Sequence, residues 1–400
     1  MKKILSLVLA VALVLTLSCA ALAEGYNGEL KIWVAEAAVD FTSAQVEAFK
    51  AANPEYADMT VKIEPLGEGD AASNVLTDVE GAADLFGFPQ DQLTRLVAAG
   101  ALEEVEPGNA ETVKVENDAG SVAAATLGDT MYAYPLTSDN GYFLYYDKSV
   151  VTDPSTLEGI LADCEAAGKS FYMEINSGWY QTAFFFGAGC TLTYESDNDG
   201  NLTACNVDYA SENGLKALKS MIALASSPAF VNGSSISNAT NVAAIVDGTW
   251  DSEAAKELFG DNYAAAKLPT VDGYQMSGFG GFKMLGVKPQ TDDAKLAACD
   301  ALAAWLSSGD VQLARYEVLG WGPSNLAAQQ SDAVKADVAL SALADQLQYT
   351  IPQGQYPGDY WSLATGLGDN IIGHKYDGAD DEALMTALTE FQDTCISYAG

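Results

Sequence analysis

The sequence predicts an α/β protein built as two blocks, each a sheet flanked by helices, and three observations point to that class. Short apolar runs alternate with amphipathic stretches at the spacing of βα units. The alternation halts at a polar break, Thr137-Ser138-Asp139-Asn140-Gly141, and then begins again. The chain has 400 residues, a length that suits about two domains.

In the first block, Leu30–Val34 has the alternation of a strand, and Thr42–Ala52 the periodicity of a helix stopped by Asn53-Pro54. Met59–Ile63 follows as a second strand, Val75–Val79 as helix, and Ala83–Phe88 as a third short apolar run. Asp91–Ala99 is helical and closes on Gly100, a residue that suits a helix end. This order predicts a largely parallel sheet. Met131–Lys148 then places an aromatic strand on each side of the polar break.

The second block repeats the pattern. Asp153–Ala167 is helical, Ser170–Ile175 a strand, Gln181–Gly187 a buried helix, and Cys190–Val207 a hairpin around an Asp/Asn/Gly turn. That turn, Asp197-Asn198-Asp199-Gly200, has a slight likeness to a calcium loop but misses the EF-hand ligand register. Ser211–Ser226 is helical, and Val242–Val246 is an apolar strand running into Asp247-Gly248-Thr249. Ser277–Val287 is glycine-rich without a following Gly-Lys-Ser/Thr, which makes it a strand closely approached by other backbone rather than a phosphate loop. Asp292–Gly309 is a strong amphipathic helix, Gly320 and Gly322-Pro323 break the chain, and the remainder is helical apart from the loop Ile351–Trp361.

Composition narrows the function. Lys2 and Lys3 precede an apolar run from Ile4 to Leu17 and the small-residue site Ala21-Leu22-Ala23, the grammar of a secretory signal peptide over residues 1–23. Cleavage after Ala23 is favoured over lipidation at Cys19, because Thr16 stands where a lipoprotein box has leucine. Either way the protein is expected outside the cytoplasm, secreted, periplasmic or lipid-anchored. With 19 Lys+Arg against 55 Asp+Glu, the formal net charge is −36, which disfavours nucleic acid, anionic membrane surfaces and anionic ligands. Cys164, Cys190, Cys205, Cys299 and Cys395 form neither a disulfide framework nor a zinc pattern, although Cys190 and Cys205 flank the hairpin and are either paired across it or two buried thiols. The single histidine, His374, belongs to no catalytic or metal motif, so no cofactor, metal or catalytic residue is expected.

In open α/β sheets, ligands bind beyond the carboxyl ends of strands. Large aromatics collect there: Phe88, Trp179 with Tyr180, Trp250, Trp321 between two glycines, and Tyr360 with Trp361, near acids such as Asp91, Asp139, Asp251 and Asp359. Trp33, within the first strand, and Trp305, in mid-helix, are expected in the core. An aromatic face beside carboxylates suits carbohydrate, because a pyranose offers an apolar C–H face and a rim of hydroxyls. Asp251 is otherwise an ordinary acid in a helix first turn.

Taken in order, "LKIWVAE", "ADLFGFPQDQLTRLVAAGALEEV", "MYAYPLTSDNGYFLYYDKSVV", "VAAIVDGTWD", "GFGGFKMLGV" and "LGWGPSNLAA" resemble the extracytoplasmic solute-binding proteins of ABC sugar importers, the maltose/maltodextrin-binding group of family 1 type. The resemblance runs from about Leu30 to Tyr398. It implies a periplasmic-binding-protein type II-like fold with the ligand cleft between two lobes, 28–138 plus 277–328 and 142–274 plus 332–400. Crossovers lie near Thr137–Gly141, Gly273–Gly278 and after Pro323. By position it implies that Glu36, Phe88, Asp91 and Asp139 serve the cleft from the first lobe and the crossover, and that Trp179, Tyr180, Trp250 and Trp361 serve it from the second, to which the residue pattern adds their neighbours Asp251 and Tyr360. The crossover is one residue longer than the usual pattern, and the first-strand loop lacks that pattern's acid–lysine pair. The implied partners are a neutral oligosaccharide, maltodextrin-like by preference, and a membrane permease, with the protein a monomer. Two other readings stay open. A secreted glycoside hydrolase needs two carboxylates facing one bond, and a cation- or iron-binding protein is suggested by Tyr145-Tyr146, although adjacent strand residues point to opposite faces.

Overall fold

The structure, a computed structural model, describes residues 25–197 and 201–399. The signal segment, Cys19 and the tip of the calcium-like turn lie outside the described residues. Ten strands form two five-stranded sheets: β1 (Glu29–Val34), β2 (Thr60–Pro65), β3 (Leu85–Pro89), β4 (Ala133–Thr137), β5 (Tyr142–Asp147), β6 (Ser170–Tyr172), β7 (Phe230–Val231), β8 (Val242–Gly248), β9 (Tyr263–Ala266) and β10 (Lys283–Val287). The first sheet has the order β2-β1-β3-β10-β4 and the second β7-β6-β8-β5-β9.

The sheets are mixed rather than largely parallel. β1 pairs in parallel with β2 and β3, whereas β10 runs antiparallel to β3 and β4. In the second sheet β6 pairs in parallel with β7 and β8, while β5 is antiparallel to β8 and β9. The reason lies in the chain path. β5 and β10 enter their sheets by crossing from the other one, so they start at the edge where the home strands end. Register places Lys283, the first residue of β10, beside Pro89, the last of β3. Likewise Tyr142 opens β5 beside Gly248 at the end of β8.

Each sheet has its own core. Leu30, Ile32, Phe49, Phe86, Phe88 and Met284 are buried around the first. The second is covered on both faces, and β5 shows the period of two directly: Tyr142 and Leu144 face the larger cluster, Phe143 and Tyr145 the smaller one. Tyr145 and Tyr146 therefore part to opposite sides, and the Tyr145 hydroxyl donates to the Gly248 carbonyl at 2.9 Å. Trp33 and Trp305, both expected in the core, are each partly buried against the first core, Trp305 with its ring 6.0 Å from that of Phe49 and Trp33 with its indole N–H donating to Glu64 at 2.9 Å.

Two helices begin earlier than the sequence suggests. The helix expected at 75–79 spans Glu68–Thr77, because its first turn, Glu68-Gly69-Asp70, is polar and conceals the periodicity. The helix expected from Gln181 spans Gly178–Phe185, so Trp179 sits in a first turn rather than a loop. A Cβ on Gly178 would lie 2.5 Å from that of Ala364, which shows how closely this helix approaches the helix Gly358–Ile372.

The Cys190–Cys205 pairing does not occur. Hairpin register sets Cys205 opposite Tyr194, four residues beyond Cys190. That is roughly 13 Å of strand, beyond the reach of a disulfide. All five described cysteines are free thiols. Among the described residues no helix is long and apolar enough to cross a membrane, and no cluster of three His, Cys, Asp or Glu could hold a metal ion.

Candidate functional site

A cleft of about 760 Å³ opens between the two sheets, at the shared edge where home strands end and crossing strands begin. Three chain passages, 137–141, 276–282 and 320–325, close its back. The first is stitched to the others by the Thr137–Pro323 bridge and by the Asn140 N–H donating to the Gly281 carbonyl at 3.1 Å.

The wall on the side of the first sheet is polar. Glu36 stands in the short turn after β1, and Glu68, Asp70 and Ser73 come from the first two turns of the helix Glu68–Thr77. Asp91, Gln92 and Arg95 follow β3. The Gln92 amide accepts from Ala72 N at 3.1 Å and donates to the Gly69 carbonyl at 2.8 Å, locking these two segments together. Lys283 rises from the start of β10, with Nζ 3.3 Å from Glu68 Oε2, and both side chains are nearly buried. Asp91 is 5 % exposed and its Oδ1 has no partner. Burial pushes its carboxyl up to about 7, against the pull of Arg95. Arg95 Nε is likewise buried without a partner, and burial lowers the pKa of its guanidinium.

The wall on the side of the second sheet is aromatic. Trp179 and Trp250 have ring centroids 5.7 Å apart. The Trp179 indole N–H donates to Gln353 Oε1 at 3.1 Å, and its ring sits edge-on to Tyr142 at 4.6 Å. Trp250 is folded back over its own strand end, since a Cβ on Gly248 would lie 2.1 Å from the indole. Trp361 completes the wall, its ring 4.9 Å from Tyr360 beneath it. Asp251 lines the cleft beside Trp250 and accepts from Ile236 N at 3.4 Å. Behind it Asp247 is wholly buried, and desolvation together with the Asp251 charge holds its carboxyl well above the usual range. A fourth tryptophan, Trp321, reaches the cleft from the third passage with its indole N–H unpartnered. Lys283 Nζ lies 5.2 Å from the Trp250 ring and 4.8 Å from the Trp321 ring.

A seam of glutamines joins the walls at one end. Gln90 donates through its side-chain amide to the Gln353 carbonyl, Gln355 donates to the Gln90 carbonyl at 2.9 Å, and Thr94 N donates to Gln355 Oε1 at 3.0 Å.

Of the residues expected at the site, Glu36, Asp91, Trp179, Trp250, Asp251 and Trp361 line the cleft. Four do not. Phe88 is fully buried in the first core, where β3 turns it toward Phe86. Tyr180 and Tyr360 each follow or precede a cleft tryptophan on a helix, and one residue's rotation of about 100° carries them beneath it into the second core. Asp139 is buried within the first passage, its carboxylate accepting from Thr249 Oγ1 and Gly322 N. Sequence reasoning missed Glu68, Asp70, Arg95, Lys283 and Gln353. Trp321, at its glycine turn, also lines the cleft although it stands outside the expected set. Lys283 did carry a signal, as the lone cation within the glycine-rich apolar run Ser277–Val287.

The family model for bacterial extracellular solute-binding protein matches residues 44–342. A maltooligosaccharide ABC transporter solute-binding lipoprotein of Streptococcus pneumoniae is 26% identical over 316 residues, covering 73% of this chain and 72% of that one. A solved structure described as "with acarbose" is 27% identical, with a TM-score of 0.80 over 92% of this chain and 98% of the other. The maltodextrin-binding protein MalE1 of L. casei BL23, solved without ligand, shares the fold at 24% identity, with a TM-score of 0.73 over 94% and 99% of the two chains.

Proposed function

The chain belongs to the bacterial extracellular solute-binding proteins, and from that premise we propose that its cleft captures a neutral, maltodextrin-like oligosaccharide and delivers it to an ABC permease. The observation that carries this is the placement of tryptophan. The chain has six, and four of them, Trp179, Trp250, Trp321 and Trp361, line one cleft opposite a wall of hydrogen-bonding groups. Pyranose C–H faces stack on the indoles, while hydroxyls, which both donate and accept, meet the unpartnered Asp91 Oδ1 and Arg95 Nε. The pneumococcal relative, a maltooligosaccharide transporter's solute-binding lipoprotein, supports malto-oligosaccharides over other sugars.

The two sheets act as lobes, 28–138 plus 277–328 and 142–274 plus 332–400, that close on the sugar about the three passages. The protein works as a monomer and carries out no chemistry on its ligand. Its place is outside the cytoplasmic membrane, where the permease receives the sugar.

A tryptophan-fluorescence titration against maltose, maltotriose, maltotetraose, xylo-oligosaccharides and simple monosaccharides, with chromatography of the sugar afterwards, tests this reading. The expected result is a saturable shift with the maltodextrins at micromolar affinity or better and no cleavage product. No response in folded protein, or turnover of the sugar, overturns it.

A further inference from the structure

We propose that Asp139 is a positioning residue that sets the spacing of Trp250 and Trp321, acting through their backbones rather than on the ligand. Its Oδ2 accepts from Thr249 Oγ1 and from Gly322 N, each at 2.5 Å. Thr249 immediately precedes Trp250, and Gly322 immediately follows Trp321. One carboxylate oxygen therefore ties together two tryptophan-bearing turns that are remote in sequence. Ser138 N reinforces the tie by donating to the Gly322 carbonyl at 3.0 Å.

The turns are shaped to accept this clasp. A Cβ on Gly322 would lie 2.9 Å from that of Asp139, so glycine is what lets the backbone N–H come close enough to donate. Gly320, with φ +73°, brings the Trp321 turn so close to the other that its Cβ would lie 2.2 Å from Ser252 Oγ. Trp250 is pressed onto Gly248. With so little slack, the separation of the two backbones fixes the separation of the two indoles. Their convergence on a single ammonium, Lys283 Nζ, is the visible outcome. Asp139 itself is 3 % exposed and does not line the cleft.

Without the carboxylate, Thr249 Oγ1 and Gly322 N lose their shared acceptor and the two turns separate. An asparagine keeps an oxygen at the same place and retains the clasp. The test compares Asp139→Ala, Asp139→Asn and Thr249→Val by tryptophan emission and acrylamide quenching in the absence of sugar, each also made in a Trp250→Phe/Trp321→Phe background. Asp139→Ala is expected to red-shift the emission and raise quenching, Asp139→Asn to match the parent, and the double-Phe background to abolish the difference. A parent-like spectrum for Asp139→Ala, a change that persists in the double-Phe background, or an Asp139→Asn as altered as Asp139→Ala overturns the proposal. Should Asp139→Ala fail to fold, Thr249→Val decides, since its spectrum must change through Trp250 alone, and an unchanged spectrum overturns the clasp. The affinity arm rests on the sugar-binding reading: maltotriose binding should weaken about tenfold in Asp139→Ala and stay within about threefold in Asp139→Asn. Because the spectral arm uses no sugar, a parent protein that binds no maltotriose overturns the functional reading while the clasp is still decided by its spectra.

Discussion

The two walls of the cleft are made from different chemistry. The wall built on the first sheet offers Glu36, Glu68, Asp70, Asp91, Arg95 and Lys283, and the wall built on the second offers Trp179, Trp250 and Trp361. The polar wall is organised by pairing: Glu68 with Lys283, and Gln92 bridging two segments. The aromatic wall is organised by packing, each indole resting on a buried tyrosine or on glycine backbone. The contrast teaches that orientation and adhesion can be assigned to separate surfaces. On the proposed reading, directional groups on one side would orient the hydroxyls of a sugar, and flat apolar rings on the other would receive a pyranose face laid against them.

The largest effect that sharpens this contrast is expected on the polar side. Lys283→Met leaves Glu68 nearly buried without its cation, and breaking such a pair costs about 3 kcal/mol. That should lower the melting temperature by roughly 6–12 °C for a lobe of this size, read by calorimetry. Trp250→Ala attacks the other wall and should instead spare stability while weakening sugar binding at least about tenfold, or about 1.4 kcal/mol. Titration and circular dichroism on one preparation would show both. Equal damage to stability and affinity in the two variants would erase the distinction between the walls.

A smaller effect concerns pH. The Asp91 carboxyl is raised from 3.8 to about 7, so the folded protein binds that proton more tightly than the unfolded chain. Its contribution to stability is therefore greatest below about pH 4 and is lost as pH rises to about 7. Asp91→Asn should flatten, though not abolish, the decline in melting temperature over that window, because the buried Asp247 carboxyl is shifted in the same direction. A variant whose profile superimposes on the parent's would show that Asp91 is solvated. The smallest effect is Tyr360→Phe. The hydroxyl lies beside Tyr209 and 3.5 Å from the Gly178 carbonyl and does not reach the cleft, so sugar affinity should stay within about twofold. A larger loss would return Tyr360 to the binding surface.

The alternation of strands and helices made the fold class legible, and the aromatic wall was legible because tryptophan is rare and two of its positions, Trp179 and Trp250, follow strand ends. The polar wall was much less so. Among 55 acids, Glu68 and Asp70 have no contrast, and their helix hid its own first turn. Lys283 lay outside the rule used to look for ligands. That rule inspects the ends of strands, whereas a strand that crosses between sheets meets the cleft with its beginning. The misplaced tyrosines have a simpler cause. Sequence proximity to a cleft tryptophan says nothing about which side of a helix the neighbour takes.

The seam of Gln90, Thr94, Gln353 and Gln355 joins the walls through amides and backbone alone. In a chain of net charge −36, a seam of ion pairs would strengthen or fail as the surrounding electrolyte changed, because screening acts on charge. Neutral amides are largely indifferent to it. A protein that works outside the cytoplasm, in whatever medium the cell meets, thereby carries a fastening whose grip is the same in dilute and in saline surroundings.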